Sequence, residues 1–159
     1  MRLAPHPFTS PTLAVALAMA ALAPSATATA KDYLEPATGS ELRADLMDTL
    51  RPHIEWKLGS PVEFVVWDLR VAGDVAFGQV LVQRPGGAAI DIESTPMVTR
   101  DGADPEFIDG TRTEAFYRRA GRQWVAVHHV IGATDVWYMD PMLCVDWSAV
   151  MPLEGFCQD

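Results

Sequence analysis

The chain is poor in basic residues, and in lysine above all. Its 159 residues include 21 acidic and 12 basic side chains, of which two are lysines, and the net charge is −9. Nucleic acids and anionic membranes are bound through Lys and Arg side chains that neutralise phosphates. The charge balance therefore argues against both as partners. It fits either simple solubility or an acidic face for a cationic partner.

The sequence also lacks the motifs of the common enzyme and metal-binding classes. It contains no G-x-S-x-G nucleophile elbow, no glycine-rich phosphate loop, no H-E-x-x-H zinc motif and no EF-hand loop. The acidic stretch DGADPEFIDG (residues 101–110) does not have the ligand spacing of a calcium site, so we interpret it as a solvated loop. We expect no cofactor and no bound metal. These absences favour a protein that is not an enzyme, and an enzyme stays an alternative.

The longest apolar run lies near the N-terminus. Residues 13–23 follow a start that carries Arg2 and precede Ala28-Thr29-Ala30, an order typical of a secretory signal peptide cleaved after Ala30. The run is shorter than the roughly 20 residues that cross a bilayer, and no cysteine follows it before Cys144, so we expect neither a membrane span nor a lipid anchor. We predict a periplasmic or secreted protein with one domain over residues 31–159. Because Arg2 is the only charged side chain in residues 1–30, that domain has a net charge of −10.

The chain has two cysteines, Cys144 and Cys157. An even number of cysteines in an exported chain predicts a disulfide, which here closes a short loop. A metal or redox role needs closer spacing or further ligands. We therefore predict a Cys144–Cys157 bond near the C-terminus.

A single helix is predicted over residues 40–58. Ser40 is a suitable N-cap and Gly59 a suitable stop. Pro52 lies inside this span, so we expect either a kink or a second short helix there. The helix has one apolar stripe, because leucine or isoleucine recurs every four residues: Leu42, Leu46, Leu50 and Ile54.

Beyond Gly59 the apolar period changes to two, which predicts strands. They form two hairpins and run over about residues 62–71, 75–83, 111–119 and 123–131. A long loop (85–109) separates the hairpins, and a tail (133–159) follows. The fold class is α+β, with the N-terminal helix packed on a curved four-stranded antiparallel sheet. This element order resembles the cystatin-like and nuclear-transport-factor-like folds, which host both enzymes and binding modules.

Two adjacent histidines, His128 and His129, lie in the last predicted strand. Strict alternation places Trp124, Ala126, His128 and Val130 on one face, and Val125, Val127, His129 and Ile131 on the other. His129 then faces the core or a cavity, and His53 of the helix is placed to meet it. Hydrogen-bonded core histidines and a zinc site are the alternatives for this pair.

An acid–base pair is the main catalytic alternative. His129 with Asp135 or Asp68 would provide the carboxylate and imidazole that general acid–base chemistry needs. Asp135 lies in the sequence IGATD, which is equally good turn chemistry. Trp67, Trp124 and Trp137 are candidates to line a ligand pocket, and alternation makes at least half of the tryptophans ordinary core.

Three stretches carry a family likeness: PVEFVVWDLRVAGDVAF, DGTRTEAFYRRAGRQWVAV and IGATDVWY. They resemble a group of small exported proteobacterial proteins with no established activity, whose pattern is L-x-V-x-G-x-W-A-F, D-G, R-x-x-G-x-W-x-V and I-G-x-T-D-V. The likeness covers most of residues 40–138. It departs at Val75, where a tryptophan is usual, and in the tail with its cysteine pair. It implies a shared fold and no catalytic residue.

The leading hypothesis from the sequence is a non-catalytic binding or interaction module. Its partner would be a periplasmic protein or a small molecule, bound through the sheet face or the 85–109 loop. A small-pocket hydrolase or isomerase that uses the His/Asp pair is the first alternative. An inhibitor or immunity-type protein, to which the acidic charge points, is the second.

Overall fold

One long helix and a four-stranded antiparallel sheet make up the fold in the computed structural model, which describes residues 1, 32–153 and 155–157. The predicted α+β class is confirmed, whereas the likeness to cystatin-like and nuclear-transport-factor-like folds stays a prediction. The predicted signal peptide lies outside the described residues apart from Met1. The main elements are α1 (Glu41–Leu58), β1 (Glu63–Ala72), β2 (Val75–Gln83), α2 (Pro96–Thr99), β3 (Arg112–Ala120), β4 (Gln123–Ile131) and α3 (Cys144–Trp147).

Helix α1 begins and ends where its capping residues predict. The Ser40 side chain accepts a hydrogen bond from the Arg43 backbone N–H at 3.3 Å, and Gly59 ends the helix with a φ of 78°. The helix runs through Pro52 as one element, so the alternative of a second helix is wrong. Pro52 is exposed, and water can solvate the carbonyl group that it leaves without a donor. Among the described residues, no helix is long and apolar enough to cross a membrane.

The strands follow the order β1-β2-β3-β4, so β1 and β4 are the two edges of the sheet. Each edge strand contains one extra residue. In β1 the register shifts between Val66 and Asp68, which leaves Trp67 without a partner. In β4 it shifts at Val127, because Phe116 pairs with His128 while Tyr117 pairs with Ala126. Such bulges bend a strand and reverse the faces of the residues that follow.

Both faces of the sheet are covered. On one face α1 packs against residues of all four strands in an apolar core, and Ile90, Ile92 and Met97 of the long loop add to it. The opposite face carries Phe77 and Phe116, which are buried by Trp147, Val150 and Met151 of the tail. The predicted disulfide is present, since Cys144 and Cys157 are bonded within this tail. The tail is therefore a second packed layer.

Gly132 brings two of the quoted motifs together. Its N–H donates to the Arg112 carbonyl at 2.6 Å, and its own carbonyl accepts from the Asp109 N–H at 2.7 Å. A Cβ atom at Gly132, where φ is 60°, would lie 2.6 Å from the Gly110 carbonyl oxygen. The D-G and I-G-x-T-D-V stretches therefore form one backbone contact, in which only glycine fits.

We predict that Gly132→Ala destabilises the protein by about 3 kcal/mol, from the left-handed φ and from the backbone clash together. Gly121→Ala is the matched control, because Gly121 has a φ of 64° and nothing within 4 Å of its added Cβ. It should cost only about 1 kcal/mol. Urea unfolding of both variants checks this prediction. Equal losses would show that the close approach at Gly132 carries no energy.

Candidate functional site: the α1–β1 groove

His53 of α1 and His129 of β4 meet between the helix and the sheet, with ring centroids 4.9 Å apart. The Nδ1 atom of His129 is buried and has no hydrogen-bond partner among the described residues. Burial lowers the pKa of His129, and the nearby basic groups of His53, Lys57 and His128 lower it further. His129 is therefore a neutral side chain of the helix–sheet interface.

His129 faces α1 and His128 the opposite side, as predicted, but the predicted grouping of the earlier β4 side chains with them is wrong, because the bulge at Val127 resets the alternation. Trp124, Ala126 and Ile131 all pack in the core under α1, on the same face as His129. His128 lies on the opposite face, with its ring centroid 5.3 Å from that of Trp147 in the tail. The two adjacent histidines thus belong to different layers of the molecule.

The structure does not bring Asp68 or Asp135 to His129. The Asp68 carboxylate is paired with Arg70 at 2.7 Å, on the edge strand that lies three strand spacings, about 14 Å, from β4. The Asp135 carboxylate accepts the Trp137 backbone N–H at 3.2 Å, as a turn residue does. Within the described ranges, no three His, Cys, Asp or Glu side chains are grouped where they could hold a metal ion.

The lowered pKa of His129 predicts a pH-dependent stability. When the pH falls below the ordinary histidine value of about 6.5, the unfolded chain takes up a proton at this position before the folded one does. The free energy of unfolding should therefore decrease as the pH falls from 7.5 towards 5. In His129→Gln this slope should become shallower, whereas exposed His128→Gln should retain it. The same slope in the wild type and in His129→Gln, measured by urea unfolding, would contradict the assignment.

Of the three tryptophans proposed as ligand contacts, Trp67 alone is well exposed. As the bulged residue of β1 it is 65% exposed, whereas Trp124 is 7% exposed under α1. Trp137 is half-buried, and its indole Nε1 lies 3.4 Å from a carboxylate oxygen of Glu114. Trp124 and Trp137 therefore serve packing, and Trp67 is left as a candidate for recognition.

Trp67 borders an open groove beside β1. Helix α1 is held over β4, where the Thr49 hydroxyl donates to the Trp124 carbonyl at 3.3 Å and His53 meets His129. The flank of the same sheet face over β1 forms a groove of about 480 Å³ between Arg43, Met47 and Arg51 of α1 and Phe64 and Val66 of β1. A smaller hollow of about 270 Å³ shares Thr38, Arg43 and Val66 with it and reaches Trp67. We call the two hollows together the α1–β1 groove.

The larger hollow of the groove has apolar walls and two guanidinium groups. Arg51 donates to the Val62 carbonyl at 2.7 Å and stacks over the Phe64 ring at 4.9 Å. Arg43 donates to the Pro36 carbonyl at 3.3 Å and lines both hollows. The larger hollow thus combines two arginines with one glutamate, Glu63, in a chain that is acidic as a whole.

Glu114 of β3 is a buried charged residue that the sequence analysis missed. Its side chain is fully buried on the tail face of the sheet. Arg112 Nε donates to it at 2.9 Å, Gln79 Nε2 at 3.1 Å and Trp137 Nε1 at 3.4 Å. These contacts join β2, β3 and the tail. A glutamate inside the apolar strand TEAFY was the available signal, because a charged residue at such a position needs buried partners.

We predict that Glu114→Gln lowers the free energy of unfolding by about 2–3 kcal/mol. The substitution removes a buried charge and leaves Arg112 without its partner, and the loss is moderated because the Arg112 side chain is 38% exposed. Glu93→Gln, at an exposed position, is the control and should change stability by less than about 0.5 kcal/mol. Urea unfolding of the two variants measures both losses of stability. Similar small losses would mean that Glu114 does not anchor the tail.

Comparisons with protein-family models, with curated proteins and with solved structures found no significant match.

Proposed function

We propose that this chain is an exported, non-catalytic binding module that takes a small molecule in the α1–β1 groove. The observation that carries the proposal is a concave site of about 480 Å³ in which arginines face apolar side chains. Small-molecule sites have volumes of about 300–1,000 Å³ and combine apolar walls with a few polar groups. The size and the lining of the groove both fit that class.

Export is supported by two independent features. The N-terminal sequence has the order of a signal peptide, and the tail contains a Cys144–Cys157 disulfide, a bond typical of exported proteins. The likeness to small exported proteobacterial proteins points the same way. We accordingly place the module in the periplasm or outside the cell.

Binding rather than catalysis is favoured by the chemistry of the groove. Its ionisable side chains include Arg43, Arg51 and Glu63, and the Glu63 carboxylate accepts the Gly86 N–H at 2.9 Å. His129 belongs to the interface of α1 with β4, on the other side of the helix. The enzyme alternative needs a histidine and an aspartate in contact as an acid–base pair, and neither hollow has a histidine among its described lining residues. The described lining residues are instead arginines and apolar side chains, which can bind a ligand by hydrogen bonds and by packing.

The test uses two fluorescent probes with the same body, neutral N-phenyl-1-naphthylamine and its sulfonate, 8-anilino-1-naphthalenesulfonate. Thr38 is exposed and lines both hollows, so Thr38→Trp should fill the groove and weaken binding of any probe held there at least tenfold. Thr134→Trp, exposed in the turn after β4, is the control and should leave binding unchanged. Circular dichroism verifies the fold of both variants. Failure of both probes to bind, or equal binding by Thr38→Trp and wild type, would overturn the proposal.

A further inference from the structure

We infer that the α1–β1 groove recognises a free organic anion with an apolar body, and that Arg43 binds the anionic group. This inference rests on the proposed function and adds the class of ligand. The two groove arginines differ in their contacts, and the carboxylates and apolar side chains around them limit where an anion can bind.

Arg51 is committed to the wall of the groove. Its guanidinium donates to the Val62 carbonyl at 2.7 Å, stacks over Phe64 at 4.9 Å and lies 3.7 Å from the Asp48 carboxylate. These contacts hold it against β1 and partly neutralise its charge. Arg51 therefore closes one part of the groove as a flat, stacked surface, which suits the apolar body of a ligand.

Arg43 lies where the two hollows join, since it lines both of them. The Pro36 carbonyl takes one of its N–H groups at 3.3 Å, and a guanidinium has five. Its planar donor fork matches a carboxylate, sulfonate or phosphate in a bidentate geometry. Arg43 is thus the arginine that can meet an anion from either hollow.

The surrounding charges confine the anion to Arg43. Glu63 lines the larger hollow, so a second negative charge near its carboxylate is repelled. Arg43 is common to both hollows. The favourable position for a single anionic group is therefore beside Arg43, and a ligand with one such group fits better than a polyanion.

The rest of the groove favours an apolar body. Met47, Phe64 and Val66 form its walls, and Trp67 borders the smaller hollow with 65% of its surface exposed. A bare inorganic anion would leave this surface in water, whereas an aliphatic or aromatic body gains about 25 cal/mol for each Å² that it covers. Acidic chains are repelled by anionic bilayers, and the chain has a net charge of −9. The occupant is accordingly a free acid and not a headgroup in a membrane.

The two probes separate this inference from the proposed function, because they differ only in the sulfonate. We expect wild-type protein to bind the sulfonate at least tenfold more tightly than the neutral probe. Arg43→Met, which keeps an apolar stem, should remove that preference, so that the ratio of the two probe affinities falls to about one. Arg51→Met is the matched variant and should weaken both probes by a similar factor, because it removes wall surface and not the anion contact.

Displacement identifies the chemical class without relying on fluorescence of the ligand. Octanoate should displace the bound sulfonate, whereas octanol and inorganic phosphate at the same concentration should not, and phosphatidylglycerol vesicles should not retain the protein in flotation.

Equal affinity for both probes, with both lost in Thr38→Trp, would leave groove binding intact and overturn the anion assignment. If Arg43→Met still bound the sulfonate probe more tightly than the neutral probe, Arg43 would not be the residue that binds the anion. If phosphatidylglycerol vesicles retained the protein, the ligand would be a membrane headgroup and not a free acid. Probe binding that is insensitive to Thr38→Trp would overturn the proposed function as well.

Discussion

A single α-helix is too narrow to cover a four-stranded sheet, and the position of the open flank depends on this mismatch. A helix with its side chains is about 10 Å wide, whereas the outer strand axes of four paired strands lie about 14 Å apart. Contacts of Thr49 and His53 hold α1 over β4, so the flank over β1 is the part left open. At the C-terminal end of the helix, Arg84 donates hydrogen bonds to the carbonyls of Leu58 and Gly59. The groove is a consequence of where the helix is anchored.

The opposite face of the sheet is covered by the tail and not by a long helix. The described part of the tail forms helical segments of three or four residues, and it covers Phe77 and Phe116 with separate aromatic and aliphatic side chains. The Cys144–Cys157 bond closes a loop within the tail. Contacts that hold the tail to the sheet include the Trp147 Nε1–H bond to the Tyr117 carbonyl at 3.1 Å, the Arg70 bond to the Met151 carbonyl at 2.7 Å and the Trp137 contact with buried Glu114. An ion that is buried and fully hydrogen-bonded adds little net stability but is costly to leave unpaired. Glu114 therefore specifies where the tail sits more than it contributes to the total stability.

Local patterns in the sequence were sufficient for the elements and insufficient for the site. The four-residue repeat of α1 and the alternation of the strands are properties of neighbours along the chain, and the predicted α+β fold and disulfide are confirmed. A bulge adds one residue without changing composition, so alternation alone could not show that Trp124 and Ala126 share the face of His129. The groove joins Arg43 to Phe64 and Val66 across a helix–sheet packing that no local pattern encodes. Of the proposed ligand contacts, Trp67 borders it, as the exposed and unpaired residue of the β1 bulge.

We propose that the ligand binds at the flank of the sheet that α1 leaves open. The most direct measurement is a titration of isotope-labelled residues 31–159 with octanoate, followed by amide chemical shifts in two-dimensional NMR spectra. The account predicts that saturable shifts are confined to Arg43, Met47, Phe64, Val66 and Trp67 and their immediate neighbours. Shifts centred on the tail around Trp147, or on the exposed side of β4 around Val125, would contradict it.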